Sequence, residues 1–153
     1  ILVAGRSGSA LAARLSTMQI NQEIDALRVM GIHPVRYLVV PSLIAMMVML
    51  PSLTFLSDLV ALYAAGIFVS LDLGISQAAY WSQTIEILSV GDLWHGLGKA
   101  SIFAVLITLI GIVNGASVTG GAEGVGKVTT RAVVQAISAI VVTDMLFAFV
   151  VTR

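Results

Sequence analysis

The sequence has no cysteine, only two histidines and three prolines among 153 residues, and charged residues make up just 10% of it. Without cysteine there are no disulfides, no thiol nucleophile and no thiolate metal site. His33 and His95 each stand without a second nitrogen or carboxylate at ligand spacing, so no metal site is expected. His95 with nearby Asp92 lacks a nucleophile in a recognisable setting, which leaves no catalytic residue to name and argues against an enzyme. Eight Lys and Arg balance eight Asp and Glu to a net charge of zero, so no basic field points to nucleic acid. The poverty of charge is matched by 58% hydrophobic residues and a mean hydropathy of +1.02. A soluble domain carries about 25% charged residues, and this chain has too little polar surface to cover itself in water. An all-α integral membrane protein is expected. The chain starts at Ile1 without methionine and runs apolar at once, which reads as a fragment of a longer protein.

A membrane-spanning helix needs about 20 mostly apolar residues. Between Arg36 and Asp72 only Asp58 is charged. That run predicts an interfacial approach near Pro41 and a helix over 43–69, with Pro51 as the place for a kink. A second span is predicted over 100–119, where no charge occurs, and a third over 132–152, which holds only Asp144. Ile1 to Ala4 reads as the tail of an earlier span. Six of the eight basic residues (Arg6, Arg14, Arg28, Arg36, Lys127 and Arg131) then fall on one side of the membrane, against Lys99 and Arg153 on the other. The positive-inside rule makes the first side cytoplasmic. It makes 72–99, with Tyr80, Trp81 and Trp94, an external connection, and 120–131 a cytoplasmic glycine-rich loop.

Residues 9–31 differ from the spans. Leu11, Leu15 and Met18 recur at helical spacing, as do Ile20, Ile24 and Leu27, with charges between them. The stretch predicts two cytoplasmic helices broken near 17–21. The second, over 22–30, is amphipathic, with Asn21 as N-cap, Glu23 and Asp25 in its positive first turn and Arg28 in its negative last turn. Gly31 supplies a left-handed cap and Pro34 bars continuation. Periodicity alone leaves two readings open: a surface helix leading into the next span, or a helix that docks into a partner's groove.

Other features carry chemistry only in outline. Gly121, Gly124, Gly126 and Lys127 match the spacing of a phosphate loop, but Val128 stands where a magnesium-binding hydroxyl belongs and no strand precedes it. A flexible turn fits better, with Thr129 or Thr130 capping the last span and Gly121, Glu123, Gly124 and Gly126 as a second contact with a partner. Asp58 and Asp144 lie within spans, where an ionised carboxylate costs at least about 2.5 kcal/mol. Each needs a wet cavity, a proton or a hydrogen-bond partner such as Asn114. Arg6, at the end of a span, and Arg131 either anchor helix ends at the head groups or bind lipid phosphate. Met46, Met47 and Met49 pack or face lipid. Gly111 and Gly115 form a small-xxx-small pair suited to close helix packing.

Two strings set the chain beside a known family. The first is Ala4-Gly5-Arg6-Ser7-Gly8-Ser9-Ala10, followed by Thr17-Met18, Glu23-Ile24-Asp25-Ala26-Leu27, Met30-Gly31, Pro34 and Pro41. The second is Gly121-Ala122-Glu123-Gly124-Val125-Gly126 with Thr129-Thr130-Arg131-Ala132-Val133-Val134. In order and in position around the spans the chain resembles the MlaE/YrbE permeases. It departs from the family's usual pattern at Gln22-Glu23, at Arg14-Leu15-Ser16 and at Ser42.

The resemblance implies a three-span fragment of a five-span permease, the membrane subunit of an ATP-driven lipid transporter. It implies a cytoplasmic ATPase that holds ATP and magnesium, so that this chain needs no cofactor. A second permease copy, an MCE-type lipid-binding protein and membrane phospholipid complete the implied assembly. The place would be the bacterial inner membrane, or the inner envelope of a chloroplast. Gln22, Glu23, Ile24, Asp25, Ala26, Leu27, Arg28 and Met30 occupy the family's coupling-helix position. Asp58, Asp144, Arg6 and Arg131 become candidates for the lipid pathway. An ion- or proton-coupled secondary transporter using Asp58 and Asp144, or a lipid-modifying membrane enzyme, would be the competing classes.

Overall fold

A computed structural model describes residues 2–151, with the side chain of Val151 left aside; Ile1, Thr152 and Arg153 lie outside the described residues. The placements expected above for Ile1 in an earlier span and for Arg153 on the external side therefore fall outside them. Six α-helices follow one another: α1 (Leu2–Ile20), α2 (Glu23–Val29), α3 (Val40–Asp72), α4 (Gln77–Ile87), α5 (Val90–Ala116) and α6 (Gly121–Val151). A wide π-type turn, Val35–Val39, leads into α3. No strand occurs among the described residues. Among the described residues, three stretches are long and apolar enough to cross a membrane: Val35–Asp72, Val90–Ala116 and Gly121–Val150. The chain divides into two compact units, Ile1–Met47 with Phe103–Arg153, and Val48–Ile102.

The first unit is built on small residues. In α1 they recur at every fourth position, Ala4, Gly8, Ala12 and Ser16, and this ridge is buried along its length. Ala104, Thr108, Gly111 and Gly115 of α5 answer it, as do Ala132 and Ala136 of α6. In a bilayer, lipid tails compete with apolar side chains on equal terms. Helices therefore associate through close van der Waals contact, which small residues permit.

The clearances are tight. A Cβ on Gly115 would stand 2.7 Å from Leu15 Cβ and 3.0 Å from the Ala12 carbonyl oxygen; one on Gly111 would stand 3.0 Å from the Gly8 carbonyl oxygen. Gly8 in turn faces Ile107 of α5 and Ala136 of α6. The α1–α5 pairs advance together along both helices, which therefore run in the same direction.

Polar bonds complete this packing. The Ser16 hydroxyl donates to the Gly115 carbonyl at 3.3 Å. The Asn114 amide donates to Gln135 Oε1 at 2.6 Å and to the Ile110 carbonyl at 2.8 Å, tying α5 to α6. Among the described residues no buried side-chain nitrogen or oxygen lacks a partner, as an apolar solvent demands.

In the second unit α4 folds back along α3. The Tyr80 ring covers Gly66, where a Cβ would stand 2.9 Å from the ring, and its hydroxyl donates to the Leu62 carbonyl at 3.1 Å. Trp81 packs edge-to-face on Tyr63 and Tyr80, with ring centroids 5.1 and 5.6 Å apart. The Ser76 hydroxyl accepts from the Ala79 amide and so caps α4. Ser89 and Asp92 form a reciprocal capping box: Asp92 N–H donates to Ser89 Oγ at 3.2 Å and Ser89 N–H to Asp92 Oδ2 at 3.0 Å. This box starts α5 at Val90.

Several expected boundaries are corrected. The first span is not confined to 43–69 but runs as α3 through Asp72, with Pro51 inside it. Next to Pro41 and to Pro51 a serine hydroxyl donates back along the helix: Ser42 to the Leu38 carbonyl and Ser52 to Val48, both at 2.7 Å. The helix that carries the second expected span begins ten residues before 100–119, at Val90, because the capping box acts upstream of the charges that bounded the expectation. The external connection 72–99 is largely helical, in α4 and the first turns of α5. The glycine-rich segment 120–131 is no loop: α6 starts at Gly121 and continues without a break through the span expected over 132–152, as far as Val151. In the segment 9–31 two helices occur, residues 9–20 being the C-terminal part of α1, packed against α5, and α2 following after the Asn21–Gln22 turn.

Gly115→Ala is expected to destabilise the protein by about 1–3 kcal/mol, the cost of overpacking a tight contact. Gly126→Ala, in a helix with nothing within 4 Å of the new methyl, is expected to stabilise by about 0.5–1 kcal/mol. Thermal unfolding in detergent measures both, and equal midpoints for the two variants would contradict the small-residue core.

Candidate functional site

The segment between α1 and α3 is the most exposed functional candidate. α1 ends with the Asn21 N–H on the Thr17 carbonyl and the Gln22 N–H on Gln19. The chain then turns through Gln22, which adopts a left-handed conformation (φ 60°, ψ 18°). Asn21 is therefore not the N-cap expected of it. The turn falls one residue later, and the Asn21 amide instead donates to Glu23 Oε1 at 3.2 Å. Gln22 flanks α2 without a side-chain cap bond.

The far end of α2 follows expectation. Gly31 is left-handed at φ 76°, its N–H donates to the Arg28 carbonyl, and the Ile32 N–H reaches back to Leu27. Glu23 and Asp25 lie in the first turn and Arg28 in the last, where each charge suits the helix dipole. The Asp25–Arg28 ion pair, at 3.1 Å and exposed, adds little.

α2 divides its coupling residues between two faces. Ile24 is buried and Leu27 half-buried, so these two hold α2 onto the first unit. Val29 is 89% exposed and Met30 65%, with Ile32 and Val35 also open. Ala26, Glu23, Asp25 and Arg28 share the outward surface. The seam that periodicity marked is therefore the anchor, and the apolar residues left exposed at the end of α2 are Val29 and Met30.

The glycines before α6 serve turn geometry. Gly120 and Gly121 have φ of 87° and 69°. A Cβ on Gly124 would overlap the Thr119 carbonyl oxygen. Because α6 is continuous from Gly121, the amides of this stretch enter the helical ladder beyond its first turn, and no phosphate-cradling loop exists. Thr129 and Thr130 cap nothing; both hydroxyls donate back to the Gly126 carbonyl, at 2.8 and 3.1 Å. Glu123 pairs with Lys127 at 2.7 Å on the surface. Lys127, Thr130, Arg131 and Val134 line an open groove of about 760 Å³ along the same helix.

The remaining charged candidates are Arg6, Asp58 and Asp144, the two aspartates standing in stretches long and apolar enough to span. Arg6 is not at a helix end but fourteen residues before the close of α1, about 21 Å along its axis. It is exposed, as are Asp58 in α3 and Asp144 in α6. The Asn114 partner expected for an aspartate is Gln135 instead. That pair, the Tyr80–Leu62 bond and the Ser89–Asp92 box were missed by sequence reasoning. Of the three, the Ser-x-x-Asp spacing was the available signal.

The family model described as Permease MlaE matches residues 1–150. Among curated relatives, a protein of Rickettsia typhi named "probable ABC transporter permease protein" is 35% identical, over 96% of this chain and 59% of its own length. A protein of Synechocystis with the same description is 38% identical, over 97% and 57%. TRIGALACTOSYLDIACYLGLYCEROL 1, chloroplastic, of Arabidopsis thaliana is 37% identical, over 95% and 42%. The chain thus spans about half the length of the curated relatives it matches.

Gln22→Gly is expected to raise stability by about 1 kcal/mol, since glycine takes the left-handed turn without the Cβ penalty. Thermal unfolding checks this, and a lower midpoint would show that the Gln22 side chain holds the turn.

Proposed function

The chain belongs to the MlaE permease family, and from that membership we propose that it forms part of the membrane subunit of an ATP-driven phospholipid transporter. It is a multi-pass membrane protein of ABC-permease type, with three helices fit to span. In the proposed assembly α2 is the coupling helix, and a cytoplasmic ATPase holding ATP and magnesium receives its exposed tip. A second permease copy completes the lipid cavity, and an MCE-type lipid-binding protein takes or delivers phospholipid on the far side. Its place would be the bacterial inner membrane or the chloroplast inner envelope, and bacterial relatives and a chloroplast relative fit either.

One observation carries this reading: a seven-residue helix, capped at its C-terminal end and anchored by Ile24, presents Val29 and Met30 to the outside. A solvated surface helix with no partner gains nothing from exposing two large apolar side chains at its tip. The mechanism follows from connectivity. α2 joins α1 through the short Asn21–Gln22 turn, and α1 is locked to α5 and α6 by contacts without slack. A displacement of the tip by the ATPase would therefore move the three packed helices together. Arg6, Arg131, Asp58 and Asp144 remain the candidates to meet lipid head groups or water along the route, because charge at membrane depth is costly unless it is used.

The double substitution Val29→Asp with Met30→Asp in the full-length protein is expected to abolish co-purification with the ATPase while membrane insertion persists. Undiminished co-purification would overturn the docking assignment. Ile24→Asp is unsuitable for this purpose, because it breaks the anchor itself. Asp144→Asn is expected to slow lipid transport at least tenfold, a loss of about 1.4 kcal/mol; an unchanged rate removes Asp144 from the pathway. Transport by the permease alone under a pH gradient, with no ATPase present, would favour the secondary-transporter reading instead.

A further inference from the structure

Where α1 meets the wide turn that opens α3, the first unit has a partly open pocket of about 80 Å³. Leu11, Leu15 and Leu38 give it apolar walls, and Arg14, Tyr37 and Ser42 are its polar lining. The cavity has a local cause. Pro41 offers no N–H and its ring crowds the preceding turn, and the backbone responds with a π-type turn over Val35–Val39, in which the Val40 N–H bonds to Val35. Widened turns of this kind recur at functional sites.

The lining is chemically lopsided. Arg14 brings a permanently charged guanidinium with five donors, and Tyr37 a phenolic hydroxyl. Ser42 spends its own proton on the Leu38 carbonyl at 2.7 Å and keeps lone pairs to accept with. Among the described residues no carboxylate pairs with Arg14. The pocket therefore offers a cation and a phenolic hydroxyl, both on exposed side chains and with no carboxylate paired to the cation, at the N-terminal end of the Val35–Asp72 stretch. Basic pockets at the ends of spanning helices bind anionic lipid head groups.

We propose that this cavity binds the phosphate of an anionic lipid head group, with Arg14 and Tyr37 as donors to its oxygens and Ser42 as acceptor for a head-group hydroxyl or amine. α2 lies in the chain between the two walls of the cavity, α1 and the turn at Val35–Val39. A bound phosphate would clamp those walls and fix the base from which the α2 tip projects. Lipid composition would thereby set the stiffness of the tip. The site stands on the cavity and its lining alone, independent of any transport cycle.

The test uses the full-length protein in neutral phosphatidylcholine nanodiscs, titrated with phosphatidic acid and separately with inorganic phosphate, and read by thermal shift. The wild type is expected to be stabilised by phosphatidic acid. Arg14→Gln is expected to weaken the apparent affinity about tenfold, as loss of a charge-assisted bond does. Tyr37→Phe, which keeps the ring, is expected to weaken it severalfold, and Arg14→Lys to restore part of it. Arg36→Gln removes an equal charge outside the cavity and is expected to cost less than Arg14→Gln. Stabilisation by inorganic phosphate with the same dependence on Arg14 would confirm the site and identify a free anion as its source. Equal losses for Arg14→Gln and Arg36→Gln would mean diffuse surface attraction and overturn the site, as would no stabilisation by either probe. Circular dichroism of each variant separates failed binding from failed folding, and Tyr37→Phe decides if Arg14→Gln does not fold.

Discussion

The close approach of α1 to α5 at Gly111 and Gly115 is the contact on which the rest of the first unit depends. Backbone atoms of one helix stand where side chains of the other would ordinarily be, 3.0 Å from a notional Cβ at two successive turns. Contact this close needs no hydrophobic force, and within a membrane none is on offer. It does need small residues at the points of closest approach, and the i±4 ridge of α1 from Ala4 to Ser16 meets Gly111 and Gly115 of α5 there, with Leu11, Leu15 and Ile107 filling the space beside them. The Ser16–Gly115 and Asn114–Gln135 bonds then fix register in a place where leaving a polar group unpaired would cost more than pairing it.

That rigidity gives the exposed tip its meaning. A seven-residue helix is too short to hold itself together in isolation. α2 persists because Ile24 and Leu27 are held by the unit behind it, and because Gly31 closes its last turn. What is left facing outward is a small apolar surface on a stiff mount. In the proposed assembly Val29 and Met30 would be the contact point with the ATPase, with α1 as the rod behind them.

Much of this was legible in the sequence, where the signal was strong and local. Three apolar runs marked three spans, and Gly31 with Pro34 marked the end of α2. The pairing of Gly111 with Gly115 announced close packing. Other features were hidden because charge and glycine were read as boundaries. Asp92 looked like the outside of a span, yet as a capping residue it starts one. Gly121, Gly124 and Gly126 looked like a loop, yet two of them relieve crowding at the turn and all three stand in a helix. α1 was misplaced for a subtler reason. Its larger residues, Leu11, Leu15 and Met18, carried the helical periodicity, while most of its buried face is the small residues Ala4, Gly8, Ala12 and Ser16, with Leu15 beside them.

The sequence by itself determined that the chain is helical and membrane-embedded, because apolar runs of spanning length with almost no charge have no other stable solvent. It also determined where α2 stops, since a left-handed glycine followed by proline leaves the backbone little choice. Only the tertiary structure decided which faces are used. Ile24 and Val29 are both apolar and five residues apart; one is an anchor and the other an exposed tip, solely because α2 lies against the first unit on one side. Tertiary packing likewise gave Asn114 to Gln135 and set Arg14 beside Tyr37 and Ser42, for these partners come together only when helices distant in sequence are brought side by side.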